Sequence, residues 1–147
     1  MNTAHNITTT LAPLTMRISA SVISDYALTD SLPSLEATRR AHELEKFLSL
    51  AASGGFAVVP SPAIDAIWHE FILHTHEYAD FCTTNFGRFI HHRPSRTWSP
   101  RLREGYLQTI DALSARFGAV PDDLWPHSEA YLQEVCNTGD CRNCDRD

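Results

Sequence analysis

Serine–proline pairs and glycines divide this chain into segments of helix length. These helix start and stop signals constrain the fold more than any other sequence feature. Ser61 precedes Pro62 and Ser99 precedes Pro100, so each pair offers an N-cap hydroxyl followed by proline at the first helical position. Because glycine favours helix ends, segments that run into glycine are predicted to stop there. The glycines at such positions are Gly54, Gly55, Gly87 and Gly118.

Apolar residues recur at helical spacing inside these segments. The segment 61–85 is predicted to be one helix, 16–28 fits a strand or a helix and is interpreted as a helix, and a short helix is predicted over about 127–135. One apolar stripe comprises Ala37, Ala41, Leu44, Phe47, Leu48 and Ala51, with Arg39, His42, Glu43 and Lys46 on its polar side. Another comprises Leu102, Tyr106, Ile110, Leu113 and Phe117.

These elements predict an all-α fold, a small bundle of four or five helices joined by proline-rich loops. At 147 residues, the chain has the length of one domain. We expect a flexible lead-in over residues 1–15, a single helical domain over 16–135 and a cysteine-containing tail over 136–147.

Composition excludes several classes of function. The chain has 12 basic and 18 acidic residues and a formal charge of −6, which argues against binding to nucleic acid or to a membrane surface. No apolar run reaches the roughly 18 residues of a membrane span. The first residues lack the basic and apolar segments of a secretory signal, so we expect a cytoplasmic protein.

The histidines are clustered: five of the eight lie in one 24-residue window. On a wheel of the predicted helix, Asp65, His69 and His76 lie along one edge of the apolar face, within about 60°. The pair His69-Glu70 invites comparison with the zinc-protease motif H-E-x-x-H, but His74 follows His69 at a turn of about 140°. This spacing excludes that motif and predicts that His74 faces solvent.

Two helical side chains rarely complete a metal site, so further ligands are expected from outside the helix. His91 and His92, just past the glycine at 87, are the natural suppliers. A mixture of imidazole and carboxylate suits Zn, Fe, Cu, Ni or Mn, and the sequence does not separate Zn, Fe and Cu. The alternative is that Asp65 and His69 form only a hydrogen-bonded pair at the edge of the core.

A second candidate set of ligands lies at the C-terminus. The spacing of Cys136, Cys141 and Cys144 is typical of loops that wrap a thiophilic ion, and predicts a zinc site or, as the less favoured option, an iron–sulfur cluster. The alternative is a hydrophilic tail whose cysteines bind metals adventitiously or form a redox pair. The fourth cysteine, Cys82, falls on an apolar arc and is predicted to be a small core residue.

An arginine-rich stretch follows the histidine helix. Arg88, Arg93 and Arg96 are candidates for binding an anion or a substrate carboxylate, because a guanidinium binds carboxylate and phosphate with two hydrogen bonds. The alternative, which we favour, is that these arginines anchor the loop to a neighbouring acidic surface.

The residues around the first histidine follow a recognisable pattern. Asp65, two further residues, Trp68-His69, an apolar run to Leu73 and then Tyr78 resemble the pattern of the uncharacterised glycine-rich-domain-containing-protein-like family. The resemblance covers about residues 60–94 and includes the Phe-Ile-His-His run at 89–92. The glycine-rich segment of that family is not found in this chain, which has only six glycines.

The resemblance implies that Trp68 and His69 are important, without naming a reaction. Many members carry a second histidine two positions after the first, where this chain has Phe71. That departure weakens a site made of two helical histidines and places more weight on His91 or His92.

The sequence therefore predicts a small metal-binding protein with a His/Asp site between the Trp-His helix and the His-His loop. If it is an enzyme, the ion would serve as Lewis acid or redox centre for a small-molecule or peptide substrate. The alternative is a non-catalytic helical module that binds a protein partner, with Trp68, His69 and Asp65 holding helices together.

Overall fold

The computed structural model of the chain describes residues 14–94 and 98–138, with side chains described as far as residue 134. All regular secondary structure in these ranges is helical, which confirms the predicted all-α bundle, although the described residues form six helices where four or five were predicted. The helices are α1 (Ala20–Thr29), α2 (Ser34–Ser53), α3 (Pro62–Leu73), α4 (Thr75–Phe86), α5 (Pro100–Phe117) and α6 (Glu129–Thr138).

The helix boundaries confirm the predicted start and stop signals at the serine–proline pairs and the glycines. The Ser61 hydroxyl accepts a hydrogen bond from the Ile64 amide at 3.3 Å, and the Ser99 hydroxyl accepts one from the Leu102 amide at 3.1 Å. Such caps satisfy amides that have no partner within the helix. A glycine with positive φ follows α2, α4 and α5, at Gly54, Gly87 and Gly118.

The segment 61–85 is two helices, so the prediction of one continuous helix is wrong. The backbone of His74 has φ −79° and ψ 65°, whereas a helical residue has ψ near about −42°. A helical wheel loses its phase at such a break, and positions after His74 no longer align with those before it. Neither proline nor glycine marks the break in the sequence.

Helix α2 is the centre of the bundle and packs against α1, α3 and α5. Its Phe47 lies between two tryptophans, with ring centroids 5.2 Å from Trp68 and 6.2 Å from Trp125. All three side chains are buried, and burial of large aromatic side chains contributes much of the stability of a small core. Trp68 is thereby fixed at the start of the region that carries the histidines.

Two glutamates of α2 are buried, which corrects the assignment of Glu43 to the solvent-facing side of this helix. The Glu43 carboxylate accepts hydrogen bonds from Lys46 Nζ at 2.7 Å and from Trp125 Nε1 at 3.1 Å. Glu45 accepts one from the backbone amide of Ile18 at 2.8 Å. These partners compensate the cost of removing a carboxylate from water. Among the described helices, none is long and apolar enough to cross a membrane.

The link between α2 and α3 is tied to α5, and this positions the start of α3. The Val59 amide donates a hydrogen bond to the Thr109 hydroxyl at 2.9 Å. A Cβ atom at Gly105 would lie only 3.1 Å from Val59 Cγ2, so glycine allows α5 to approach the link this closely.

Candidate metal centre

Three metal-capable side chains meet where α3 faces the loop after α4. Asp65 and His69 lie one turn apart on α3, and His92 comes from the loop. One ligand atom from each lies within 4.8 Å of the others. We call Asp65, His69 and His92 the helix–loop cluster.

Asp65 contacts both histidines of the helix–loop cluster. Its Oδ1 atom lies 2.6 Å from Nε2 of His92, and its Oδ2 atom lies 3.4 Å from Nδ1 of His69. The two imidazole rings are 4.5 Å apart between centroids. The side chain of His92 is only 8% exposed, whereas that of His69 is 51% exposed. His92 therefore forms the inner wall of the cluster, and His69 forms a rim open to solvent.

A buried hydrogen-bond chain positions His92. Trp68 Nε1 donates to the Tyr78 hydroxyl at 3.0 Å, and that hydroxyl donates to the Ile90 carbonyl at 2.6 Å. The Trp68 ring also packs against the His92 ring edge to face, with centroids 4.3 Å apart. Burial raises the pKa of the Tyr78 phenol well above its usual value, so it remains a donor. In the Trp-His motif, a histidine of the helix–loop cluster is thus adjacent to the tryptophan that packs on His92.

Two imidazoles and one carboxylate form a donor set that suits Zn²⁺ or Fe²⁺. Donors that share such an ion, at bonds of about 2.0–2.2 Å, lie about 3.0–3.5 Å apart. The Asp65–His69 distance of 3.4 Å meets this spacing. The Asp65–His92 contact of 2.6 Å is a direct hydrogen bond, so an ion would have to open it and displace its proton.

Two of the predicted histidine ligands lie away from the helix–loop cluster. The side chain of His76 is 94% exposed, and its Nδ1 atom lies 3.7 Å from Asp80. The break at His74 removes His76 from the edge that carries Asp65 and His69, so its predicted alignment with them is wrong. His91 is exposed, and its ring lies 4.8 Å from that of Phe89.

None of the predicted cysteine ligands in the tail has a described side chain. Cys141 and Cys144 lie beyond residue 138, and Cys136 belongs to α6 without a described side chain. Their role as ligands stays a prediction. Cys82, in contrast, is buried with no exposed surface, which confirms its assignment to the core.

The arginine-rich stretch is described in part. Nη2 of Arg88 donates to the backbone carbonyls of Ala51 and Ala52 at 3.3 and 3.0 Å, which anchors the loop to the last turn of α2. Arg93 is exposed, and Arg96 lies outside the described residues. Binding of an anion by these arginines stays a prediction.

A second group of metal-capable side chains lies on a different side of α3, and the sequence did not predict it. Nε2 of His74 is 3.2 Å from Oδ2 of Asp25 and 3.5 Å from Oε1 of Glu70. His74 is only 21% exposed, so its prediction as a solvent-facing residue is wrong. The i, i+4 spacing of Glu70 and His74 was visible in the sequence, but nothing there pointed to Asp25. We call Asp25, Glu70 and His74 the junction cluster.

The sequence model of the UCP032817-like family matches residues 17–108, a stretch that contains every residue of both clusters. The match supports the predicted relationship to an uncharacterised family. It does not confirm the narrower resemblance to the glycine-rich-domain-containing-protein-like family, which stays a prediction. No curated protein and no solved structure matches the chain.

Proposed function

The chain belongs to the UCP032817-like family, and we propose that it is a metal-binding protein whose ion is held by Asp65, His69 and His92. One observation carries this proposal. The fold brings His92 back over 27 residues of chain to Asp65 and buries it there, beside a second imidazole. Convergent ligand-type side chains at one place are more typical of a site than of scattered surface histidines.

The donor set favours a borderline ion such as Zn²⁺ or Fe²⁺, with Cu²⁺ as a further candidate. Three protein ligands leave at least one position for water or another ligand in a four-coordinate site. Because His69 lies at an exposed rim, a small molecule or a peptide side chain could reach that position. We propose that the protein binds a small molecule or a peptide at this position, and that it is located in the cytoplasm. A thiolate site in the tail, with zinc or an iron–sulfur cluster, is the competing location for the metal.

A second candidate function is a helical module that binds a protein partner. Three leucines favour it: Leu28, Leu35 and Leu73 are between 75% and 82% exposed, which is unusual for large apolar side chains. In this alternative, the hydrogen-bond chain from Trp68 through Tyr78 to Ile90 only holds the loop against the bundle. The helix–loop cluster would then bind no metal above the level of an ordinary protein surface.

Zinc binding by matched histidine variants tests the proposal. His69→Ala removes a ligand, whereas His76→Ala removes an exposed histidine that also has an aspartate four residues away. Zinc affinity is measured on the untagged full-length chain by competition with a chromophoric chelator. The three tail cysteines are replaced by serine in a parallel series, which leaves α6 at its full length.

We expect one tightly bound zinc per chain, an affinity at least about 10-fold lower in His69→Ala, and no change in His76→Ala. Replacement of the tail cysteines should leave this zinc in place. Equal effects of the two histidine variants, or loss of zinc only in the serine variants, would contradict the proposal. Absence of any stoichiometric zinc would favour the interaction module.

A further inference from the structure

We propose that the junction cluster is a second, oxygen-rich site for a divalent cation of the Mn²⁺ type. This site is separate from the helix–loop cluster, because its ligands are Asp25 of α1, Glu70 of α3 and His74 between α3 and α4. Two carboxylates and one imidazole form a donor set in which oxygen predominates, and such sets suit Mn²⁺ better than sets rich in nitrogen or sulfur do.

Two of the three donor distances in the junction cluster match the spacing of a metal site. His74 Nε2 lies 3.2 Å from the Asp25 carboxylate and 3.5 Å from the Glu70 carboxylate. Donors around one ion at bonds of about 2.0–2.2 Å are separated by about 3.0–3.5 Å. The oxygens of Asp25 and Glu70 lie within 4.8 Å of each other, so an ion would bind after these two side chains close around it. The side chain of Glu70 is only 14% exposed, and its other oxygen accepts a hydrogen bond from the Thr29 hydroxyl.

The second nitrogen of His74 faces a further carboxylate. Nδ1 of His74 lies 4.0 Å from Oε1 of Glu77, and the hydroxyls of Ser19 and Ser21 donate to the Glu77 carboxylate. Histidines that bind metal through one nitrogen commonly direct the other nitrogen at a carboxylate, which orients the ring and strengthens the ligand. Glu77, held by two serines near the start of α1, lies on that side of the His74 ring at an ion-pair distance and would have to move closer to accept such a hydrogen bond.

Charge at the junction cluster also favours a cation. Three carboxylates, those of Asp25, Glu70 and Glu77, surround one imidazole, and within the described residues none of them pairs with lysine or arginine. The carboxylates of α2 differ in this respect, because Glu43 pairs with Lys46 and Glu45 with Arg17. A divalent ion would neutralise most of the excess negative charge.

An ion at this position would join α1 to the junction of α3 and α4. Asp25 and Glu70 belong to helices that are separate in sequence, so the ion would act as a cross-link. Binding to the folded state alone stabilises a protein in proportion to the logarithm of ligand concentration. We therefore expect Mn²⁺ to raise the melting temperature of the full chain.

Mn²⁺ titration of the full-length, chelator-treated protein, followed by electron paramagnetic resonance, measures the site. Mn²⁺ is the probe because thiolates bind it weakly, so the tail cysteines compete little. Asp25→Asn and Glu70→Gln keep side-chain shape and remove charge. Asp80→Asn is the matched control, since Asp80 faces His76 at an exposed pair with no third donor recorded among the described residues.

We expect one bound Mn²⁺ per chain, at least about 10-fold weaker binding in Asp25→Asn and in Glu70→Gln, and unchanged binding in Asp80→Asn. Equal loss in all three variants, or in none, would overturn the proposal. Asp65→Asn should leave Mn²⁺ binding unchanged. If it abolishes Mn²⁺ binding, the ion lies at the helix–loop cluster, so this proposal fails while the proposed function stands.

A measurement on the unsubstituted chain keeps the test independent of variant folding. Bound Mn²⁺ broadens amide signals of nearby residues in a nuclear magnetic resonance spectrum. We expect signals of residues 25, 70 and 74 to disappear at Mn²⁺ concentrations that leave those of 65 and 92 visible. The reverse order, or uniform broadening along the acidic surface, would contradict a site at the junction cluster.

Discussion

The two clusters are built from the same local unit and differ in what the fold adds to it. Each starts from an acid and a histidine four residues later, Asp65–His69 in one and Glu70–His74 in the other. These pairs are five residues apart, so they point to different sides of α3. The third donor determines whether nitrogen or oxygen atoms predominate in each cluster. The loop adds an imidazole to the first, and α1 adds a carboxylate to the second.

An i, i+4 pair supplies only two donors, and the third comes from elsewhere in the fold. His76 and Asp80 form a third i, i+4 pair, in the reverse order, which is exposed and has no further donor recorded in the described part of the chain. The clusters also differ in how their histidines are held. His92 is packed on Trp68 and hydrogen-bonded to Asp65, whereas His74 is surrounded by carboxylates at longer distances. We expect selective, nitrogen-rich binding at the helix–loop cluster and looser, oxygen-rich binding at the junction cluster.

Of the variants considered, His92→Ala should produce the largest difference between its effects on zinc binding and on Mn²⁺ binding. Removing a direct ligand is expected to weaken zinc binding on the order of 100-fold, since even partners that only orient a ligand contribute 10- to 100-fold. Mn²⁺ binding at the junction cluster should not change. Calorimetric titration of both ions on one protein preparation checks this. Parallel losses of both ions would mean that the clusters are not independent.

Tyr78→Phe should test whether the helix–loop cluster depends on the buried hydrogen-bond chain. The substitution leaves Trp68 Nε1 without an acceptor and the Ile90 carbonyl without a donor, which we expect to cost about 1–3 kcal/mol of unfolding free energy. Zinc affinity should fall as the loop loosens, and Mn²⁺ affinity should be retained. Tyr131→Phe, at a half-buried tyrosine, is the control for urea unfolding.

Alkaline pH should act on the same hydrogen-bond chain. Burial raises the pKa values of Tyr78 and Tyr106 above their usual 10.0, so both stay protonated in the folded protein after they ionise in the unfolded chain. The folded state then binds more protons, and stability falls as pH rises above about 10. Tyr78→Phe should reduce this slope by up to about 1.4 kcal/mol per pH unit. An unchanged slope in unfolding experiments from pH 9 to pH 11 would refute this explanation.

The smallest effect is expected for Arg88→Ala. Arg88 donates to the carbonyls of Ala51 and Ala52 at the surface, so its loss should lower the unfolding free energy by no more than about 1 kcal/mol. Both metal affinities should stay within experimental error. A clear drop in zinc affinity, measured by chelator competition, would instead place this arginine in the function of the helix–loop cluster.

The sequence predicted the helix ends well because their determinants are local. Ser61 and Ser99 cap the helices they precede, and Gly87 and Gly118 end the helices they follow. The pairing of Asp65 with His69 was equally accessible, since both residues lie on one turn. The break at His74 could not be predicted, because no proline or glycine signals it. The helical wheel therefore assigned His76 to the face that carries Asp65 and His69, where it does not lie.

The remaining parts of the clusters depend on tertiary packing. His91 and His92 are adjacent in a segment without regular structure, and contact with Trp68 selects His92 for the inward position. Asp25 reaches His74 only because α1 packs on α3. Helical periodicity describes one helix at a time, so it cannot predict a contact between helices that are distant in sequence.

Zinc K-edge X-ray absorption on the full-length protein, loaded with one equivalent of Zn²⁺, tests the central claim most directly. We expect a first shell of nitrogen and oxygen alone, at about 2.0–2.1 Å, with the outer-shell scattering of two imidazoles. Binding by Cys136, Cys141 and Cys144 would instead give sulfur at about 2.3 Å. A sulfur shell would contradict the account by placing the metal in the tail.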